Sequence, residues 1–202
     1  MEDDKTTSSY SGQFIKDCKE HFQNVSAHLL QNSKISEEEA HGIVENLFLR
    51  LLFLRFLEEK KWLVYQGNSN YLSALCNAGG IGLMSVYSSR FKPLFSKGLS
   101  VKGHQENEAY GSVLLMNLDL FFESSLDGLK WDFSDEIMLS LTGREGLFYN
   151  YNFSMNEFDS SDSINPEIIG TLFEELMLNR QHTGVFYTPK PCLLYTSPSP
   201  RD

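Results

Sequence analysis

A mainly α-helical fold is what this chain of 202 residues predicts, on three observations. Phe14, Cys18, Phe22, Val25 and Leu29 recur at the spacing of one helical face. Ser36-Glu37-Glu38-Glu39 has the form of a capping box, with acidic residues at the positive end of the helix dipole. Asn165-Pro166-Glu167 supplies an N-cap, a proline at the first helical position and an early carboxylate. With 41% hydrophobic and 13% aromatic residues, the chain is long enough to bury one good core.

Taken in order, residues 1–11 read as a disordered polar lead. A first helix carries the Phe14 to Leu29 stripe, and a second runs from the capping box to about Trp62. Its later half, Leu47 to Leu57, is apolar nearly all round, as in a helix at the middle of a bundle. Arg50 and Arg55 interrupt that run, and they are expected to reach the surface along their aliphatic stems rather than find carboxylates inside. Gly67 to Asn70 breaks the pattern, a short helix covers Tyr71 to Asn77, and Gly79, Gly80 and Gly82 make a turn. Those glycines have neither G-x-G-x-x-G spacing nor the Lys-Ser/Thr of a phosphate loop.

Met84 to Phe95 and Val113 to Phe122 are further apolar segments, on either side of a polar surface loop at Gly103 to Glu108. Phe133, Ile137, Leu139 and Leu141 predict a short helix ending at Gly143, and Leu147 to Phe153 reads as a strand or an extended packing segment. Asp159 to Ser163 is a polar linker closing a helical domain of residues 12–163. The helix entered at Asn165 buries Ile168, Leu172, Phe173 and Leu176.

The net charge of −10 makes the segment a poor DNA clamp by itself, because lysine and arginine supply most phosphate affinity. Arg90, Lys92, Lys97 and Lys102 cluster in sequence and read as a solvated surface. Cys18, Cys76 and Cys192 form neither a disulfide framework nor a zinc pattern, which fits a reducing cytoplasm. Met1 to Ser11 has no apolar signal core, and no apolar run is long enough to cross a bilayer, so neither secretion nor a membrane is expected. His21, His28, His41, His104 and His182 lack metal-site spacing. The pairs Glu58-Glu59 and Glu174-Glu175 read as solvated helix faces rather than general acids or bases.

The most specific string is Ile164-Asn165-Pro166-Glu167-Ile168-Ile169-Gly170-Thr171-Leu172-Phe173-Glu174-Glu175-Leu176, followed by Thr183-Gly184-Val185-Phe186-Tyr187-Thr188-Pro189. It resembles the entry to the adenine-N6 DNA methyltransferases of restriction-modification systems, which include type I modification subunits and type II enzymes that fuse methylation with cleavage. Upstream, Leu51 to Leu63, Phe91-Lys92-Pro93-Leu94-Phe95 and Tyr149 to Glu157 are similar to the helical region of the fused enzymes and their phage-defence relatives. One departure is Met116-Asn117-Leu118-Asp119-Leu120-Phe121-Phe122-Glu123, where those relatives carry Asn-Gly-Gly-Leu-Phe-Glu.

The resemblance implies that residues 164–190 are the first helix and Thr-Pro segment of a doubly wound α/β methyltransferase domain otherwise missing from this chain. It also implies S-adenosylmethionine as cofactor, double-stranded DNA as substrate, and restriction or specificity subunits as partners. Gly184, Phe186, Tyr187, Thr188 and Pro189 would lie beside the cofactor. Physically, Pro189 fixes its own backbone and biases Thr188 to an extended shape with a free hydroxyl, while Gly184 permits close approach. The six-residue string from Gly184 to Pro189 also reads as a helix end followed by a turn with packed aromatics.

Methylation needs a Gly-rich cofactor turn and an Asn/Asp-Pro-Pro-Tyr/Phe loop to hold the flipped adenine amine, and neither motif occurs in this sequence. No catalytic residue is therefore assigned, and the fragment is expected to be inactive. Cys192 to Asp202 resembles translated adaptor sequence, so residues 191–202 read as a non-native tail. The other reading of the whole is a stand-alone helical protein-interaction module of a defence complex.

Overall fold

The computed structural model describes residues 10–100, 105–113, 118–154 and 162–181, with side chains of the last stretch up to residue 176. Five α-helices dominate it: α1 (Tyr10–Asn32), α2 (Glu37–Glu59), α3 (Tyr71–Asn77), α4 (Asp135–Thr142) and α5 (Ile168–Gln181). The fold is mainly helical, as the periodicities predict.

In α1 the stripe Phe14, Cys18, Phe22, Val25 and Leu29 is buried. The helix begins at Tyr10, so the last two residues of the expected disordered lead are helical, and residues 1–9 lie outside the described residues. Tyr10 is tied down at this end, its hydroxyl accepting from the Asn152 backbone N–H at 2.8 Å and its ring edge-on to Tyr151 with centroids 5.3 Å apart. Both halves of the capping box at Ser36 form: the Ser36 side chain accepts from Glu39 N–H at 3.3 Å, and Glu39 accepts from Ser36 N–H at 2.7 Å.

α2 is the axis of the molecule. It packs against α1, α3, α5 and two 3₁₀ turns, Asp119–Phe121 and Ser125–Gly128. Neighbours on every side are why Leu47 to Leu57 has no polar face, and Leu51, Leu52 and Leu54 are fully buried. The helix ends at Glu59, before Trp62, because the chain turns left-handed at Lys61.

Beyond α3, Gly79 and Gly82 adopt φ of +72° and +64°, which is the turn geometry their spacing predicts. The Met84 to Phe95 segment becomes an irregular helix with two π-helical stretches, Tyr87–Phe91 and Leu94–Gly98. Pro93 lies between them, and the wide turns close on i−5 carbonyls, Lys92 N–H to Tyr87 O and Leu99 N–H to Leu94 O. A proline cannot donate the ordinary helical bond, so widened turns at this point have a local cause.

The expected surface loop at Gly103 to Glu108 is instead partly sheet. β1 (Gln105–Asn107) and β2 (Gly111–Val113) pair antiparallel around a turn with Gly111 at φ +75°, and Val64 bridges to Ser112 on the other edge. Leu147 to Phe153 is not a strand: it makes a 3₁₀ turn at Leu147–Tyr149, then a single parallel bridge from Phe153 to Ile164. α4 ends at Gly143 as read, but Met138 and Leu141 are its buried residues while Leu139 faces solvent.

Asn165 opens the turn that leads into α5, its side chain accepting from Glu167 N–H at 3.1 Å and its carbonyl from Ile168 N–H; Pro166 and Glu167 lie in that turn, and α5 itself begins at Ile168, two residues past the expected first helical position. Ile168, Leu172 and Leu176 are buried and Phe173 is half-buried. These residues join one contiguous apolar core that runs from Phe14 to Leu176, with α5 laid against α1 and α2. A Lys19–Glu175 ion pair ties the outer edges of α1 and α5.

Candidate functional site

Three arginines that the sequence places on the surface are buried, and each holds backbone carbonyls of a loop. Arg50, on the buried side of α2, donates through Nε to Leu120 O at 2.8 Å and through Nη2 to Phe122 O at 3.2 Å, with Asp127 at 3.7 Å. Its guanidinium lies 5.2 Å from the centre of the Phe95 ring. The expectation that Arg50 and Arg55 snorkel to water is overturned because their planar forks find fixed acceptors in the interior.

Arg55 sits one turn and a half further along. It donates to Phe148 O at 3.1 Å, pairs with Glu59, and stands 3.9 Å from Glu58. The Tyr149 and Phe153 rings flank it with centroids at 4.9 and 5.0 Å, a cation–π arrangement within range for both. Glu58 is buried rather than solvated, which corrects half of the Glu58-Glu59 reading; Glu59 remains exposed. Tyr149 Oη donates to the Glu58 carboxylate at 2.7 and 2.9 Å, and Leu72 N–H donates at 3.2 Å. The helical spacing of Leu51, Leu54, Arg55 and Glu58 on one side of α2 is the signal that could have placed Glu58 inside.

Burial pushes the Glu58 carboxyl above its ordinary value of 4.5, against the Tyr149 hydrogen bond and the Arg55 charge, which pull it down. Burial and the neighbouring carboxylate push the Tyr149 phenol upward as well. A carboxyl whose folded pKa is raised contributes stability that is present below pH 4.5 and lost as pH rises through the folded value. Stability should therefore decline from pH 4.5 upward through this group, and Glu58→Gln should flatten that part of the curve. Glu39, held below 4.5 by the Ser36 hydrogen bonds, acts only in the acid window beneath it. Urea unfolding across pH for both proteins checks this, and parallel curves would refute it.

Arg90 corrects the basic-surface reading of the 90–102 cluster. It lies inside, donating to Gly79 O, to Ala109 O at 2.9 Å, to Ala78 O at 3.4 Å and to Tyr65 Oη at 2.8 Å. Lys92 is half-buried over Trp131 and Lys97 is exposed, while Lys102 lies outside the described residues. Glu174 is exposed as read, and Glu175 is half-buried in its pair with Lys19.

In chemical terms these arginines are fasteners. Their donors are directed at carbonyls and carboxylates of the chain, and the recess beside Arg50, lined by Tyr87, Phe95, Ser96 and Asp127, encloses about 10 Å³, room for one water. Among the described residues, no group of three or more His, Cys, Asp or Glu side chains is placed to hold a metal ion, and no helix is long and apolar enough to cross a membrane. The cofactor-side residues Gly184, Phe186, Tyr187, Thr188 and Pro189 lie outside the described residues, as do His104 and His182. Comparison with protein-family models, with curated proteins and with solved structures returns no match for this chain.

Proposed function

We propose that this chain is the N-terminal helical part of an adenine-specific DNA methyltransferase of a restriction-modification or phage-defence system. The observation that carries the reading is the string from Ile164 to Leu176 followed by Thr183 to Pro189. The first half of that string is a turn at Asn165 running into α5, which docks on α1 and α2 and would fix the direction in which the chain enters a following domain.

In the parent protein the methyl group of S-adenosylmethionine would pass to adenine N6 within a specific double-stranded site. Gly184, Phe186, Tyr187, Thr188 and Pro189 would line the cofactor side, and the base would be held by an Asn/Asp-Pro-Pro-Tyr/Phe loop that this sequence does not contain. This chain alone is expected to transfer no methyl group. The helical region described above would act as a rigid support, and restriction or specificity subunits are the partners it would meet.

The deciding experiment is long-read sequencing of the source DNA across the codons for residues 185–202 and well beyond. The expected result is a frame that continues from Pro189 into a Gly-rich turn and an Asn/Asp-Pro-Pro-Tyr/Phe loop. A genomic stop codon directly after Asp202 overturns the reading in favour of a stand-alone helical interaction module.

A further inference from the structure

The end of α2 displays an indole and two ammonium groups from a segment held in an unusual backbone. The helix stops in a pattern of two crossed hydrogen bonds, Trp62 N–H to Leu57 O at 3.2 Å and Lys61 N–H to Glu58 O at 2.8 Å. That pattern requires a left-handed residue, a place glycine usually fills, and here Lys61 takes it at φ +58°. A second left-handed residue that is not glycine, Gln66 at φ +49°, closes the same segment. Conformations of this kind persist where the surroundings enforce them, and they gather at functional sites.

The surroundings do enforce them. Leu63 and Tyr65 are buried, and Val64 is bridged to Ser112, so the segment is anchored on one side along its length. On the other side Trp62 is 54% exposed and Val64 42% exposed, and Lys60 and Lys61 are both exposed. The nearest carboxylates in sequence do not neutralise the lysines, because Glu58 is buried and Glu59 is paired with Arg55. A half-exposed indole on an anchored backbone, next to two exposed ammonium groups, matches a ligand with both anionic oxygens and a flat aromatic face, and nucleic acid has both.

We infer that Lys60, Lys61 and Trp62 form a contact for DNA carrying an unstacked base, the lysines taking phosphate oxygens and the indole stacking on the base. The inference rests on the methyltransferase reading and deepens it: while the catalytic loop would hold the flipped adenine, its former partner on the other strand is left unpaired, and that is the base the indole would take. The net charge of −10 opposes binding at a distance, and salt of about 0.1 M confines that repulsion to roughly 10 Å, so the contact is to be measured near that ionic strength and titrated with salt from there.

Trp62 and Trp131 are the two tryptophans, and Trp131 is half-buried with its indole N–H bonded to Leu126 O, so Trp131→Phe leaves Trp62 as the reporter. The full chain bearing that change is titrated with a single-stranded oligothymidylate of about 15 nucleotides. Saturable quenching of Trp62 emission is expected, with a blunt duplex of the same length quenching less. The companion variant Trp62→Ala, followed by fluorescence of a labelled oligonucleotide, should bind about tenfold more weakly.

Lys61→Gly is the informative change for charge, because it removes an ammonium group while favouring the left-handed backbone, so a lost contact cannot be ascribed to a lost fold. It should lower the slope of log affinity against log salt by roughly 0.7. Absence of saturable quenching, equal quenching by the duplex, or an unchanged salt slope in Lys61→Gly overturns the inference. A downstream frame without the catalytic loop would remove the methyltransferase reading and leave these outcomes as they stand.

Discussion

Replacing Arg55 by methionine is expected to lower the unfolding free energy by about 3–5 kcal/mol, the cost of removing one partner from a buried charged pair. Methionine keeps most of the apolar stem, so the loss belongs to the guanidinium. Phe148 O loses its donor at 3.1 Å, and an orphaned buried carbonyl costs roughly 1–3 kcal/mol. Glu58 is left with Tyr149 and the Leu72 N–H alone, in a site whose burial already disfavours its charge. Protonation of Glu58 limits the damage, so the penalty should shrink as pH falls. Adding Glu58→Gln to Arg55→Met should recover part of the loss, giving a coupling energy in a double-mutant cycle. Urea unfolding measures each variant; a loss below about 1 kcal/mol for Arg55→Met would mean that only its outer pair with Glu59 mattered.

Arg90→Met should cost a similar amount, about 3 kcal/mol or more, from the three carbonyls of Ala78, Gly79 and Ala109 that it leaves without their donor. The distribution of the damage distinguishes it. Arg90 joins the turn after α3 to the turn of the β1–β2 hairpin and bonds Tyr65 in the segment that bridges to that hairpin, so these loops should loosen before the helices do. Amide hydrogen exchange is expected to accelerate at residues 109–113 while α1 and α2 keep their protection. Unchanged exchange in the hairpin would show that Arg90 does not hold it.

What could be read in the sequence was what depends on neighbours along the chain. The α1 stripe, the Ser36 capping box, the Tyr71–Asn77 helix, the turn at Gly79 to Gly82 and the Asn165 start all follow from residues three or four apart. The hairpin was hidden because Gln105-Glu106-Asn107 has no apolar alternation, and its place is fixed by distant Val64 and Arg90. The buried arginines were hidden for a related reason. Whether an arginine goes inside depends on which carbonyls lie unpaired nearby, and Arg50 meets its acceptors about seventy positions away, at Leu120 and Phe122. Of the candidate site, the leading helix was legible to its cap, whereas Gly184 to Pro189 lie outside the described residues.

The docking of α5 on α1 also bears on how the protein is made. Of the described helices α1 leaves the ribosome before the others, yet a partner in its packing, α5 with Ile168, Leu172 and Leu176, is the last of them to be synthesised. A nascent chain that has reached the hairpin already contains α1 and α2, while the apolar ground that α5 will occupy is still bare. Such exposure during translation is where chaperones bind and where chains associate wrongly. The speed at which residues 114–176 are translated thus governs how long that surface stays uncovered, a hazard set by time rather than by the stability of the finished fold.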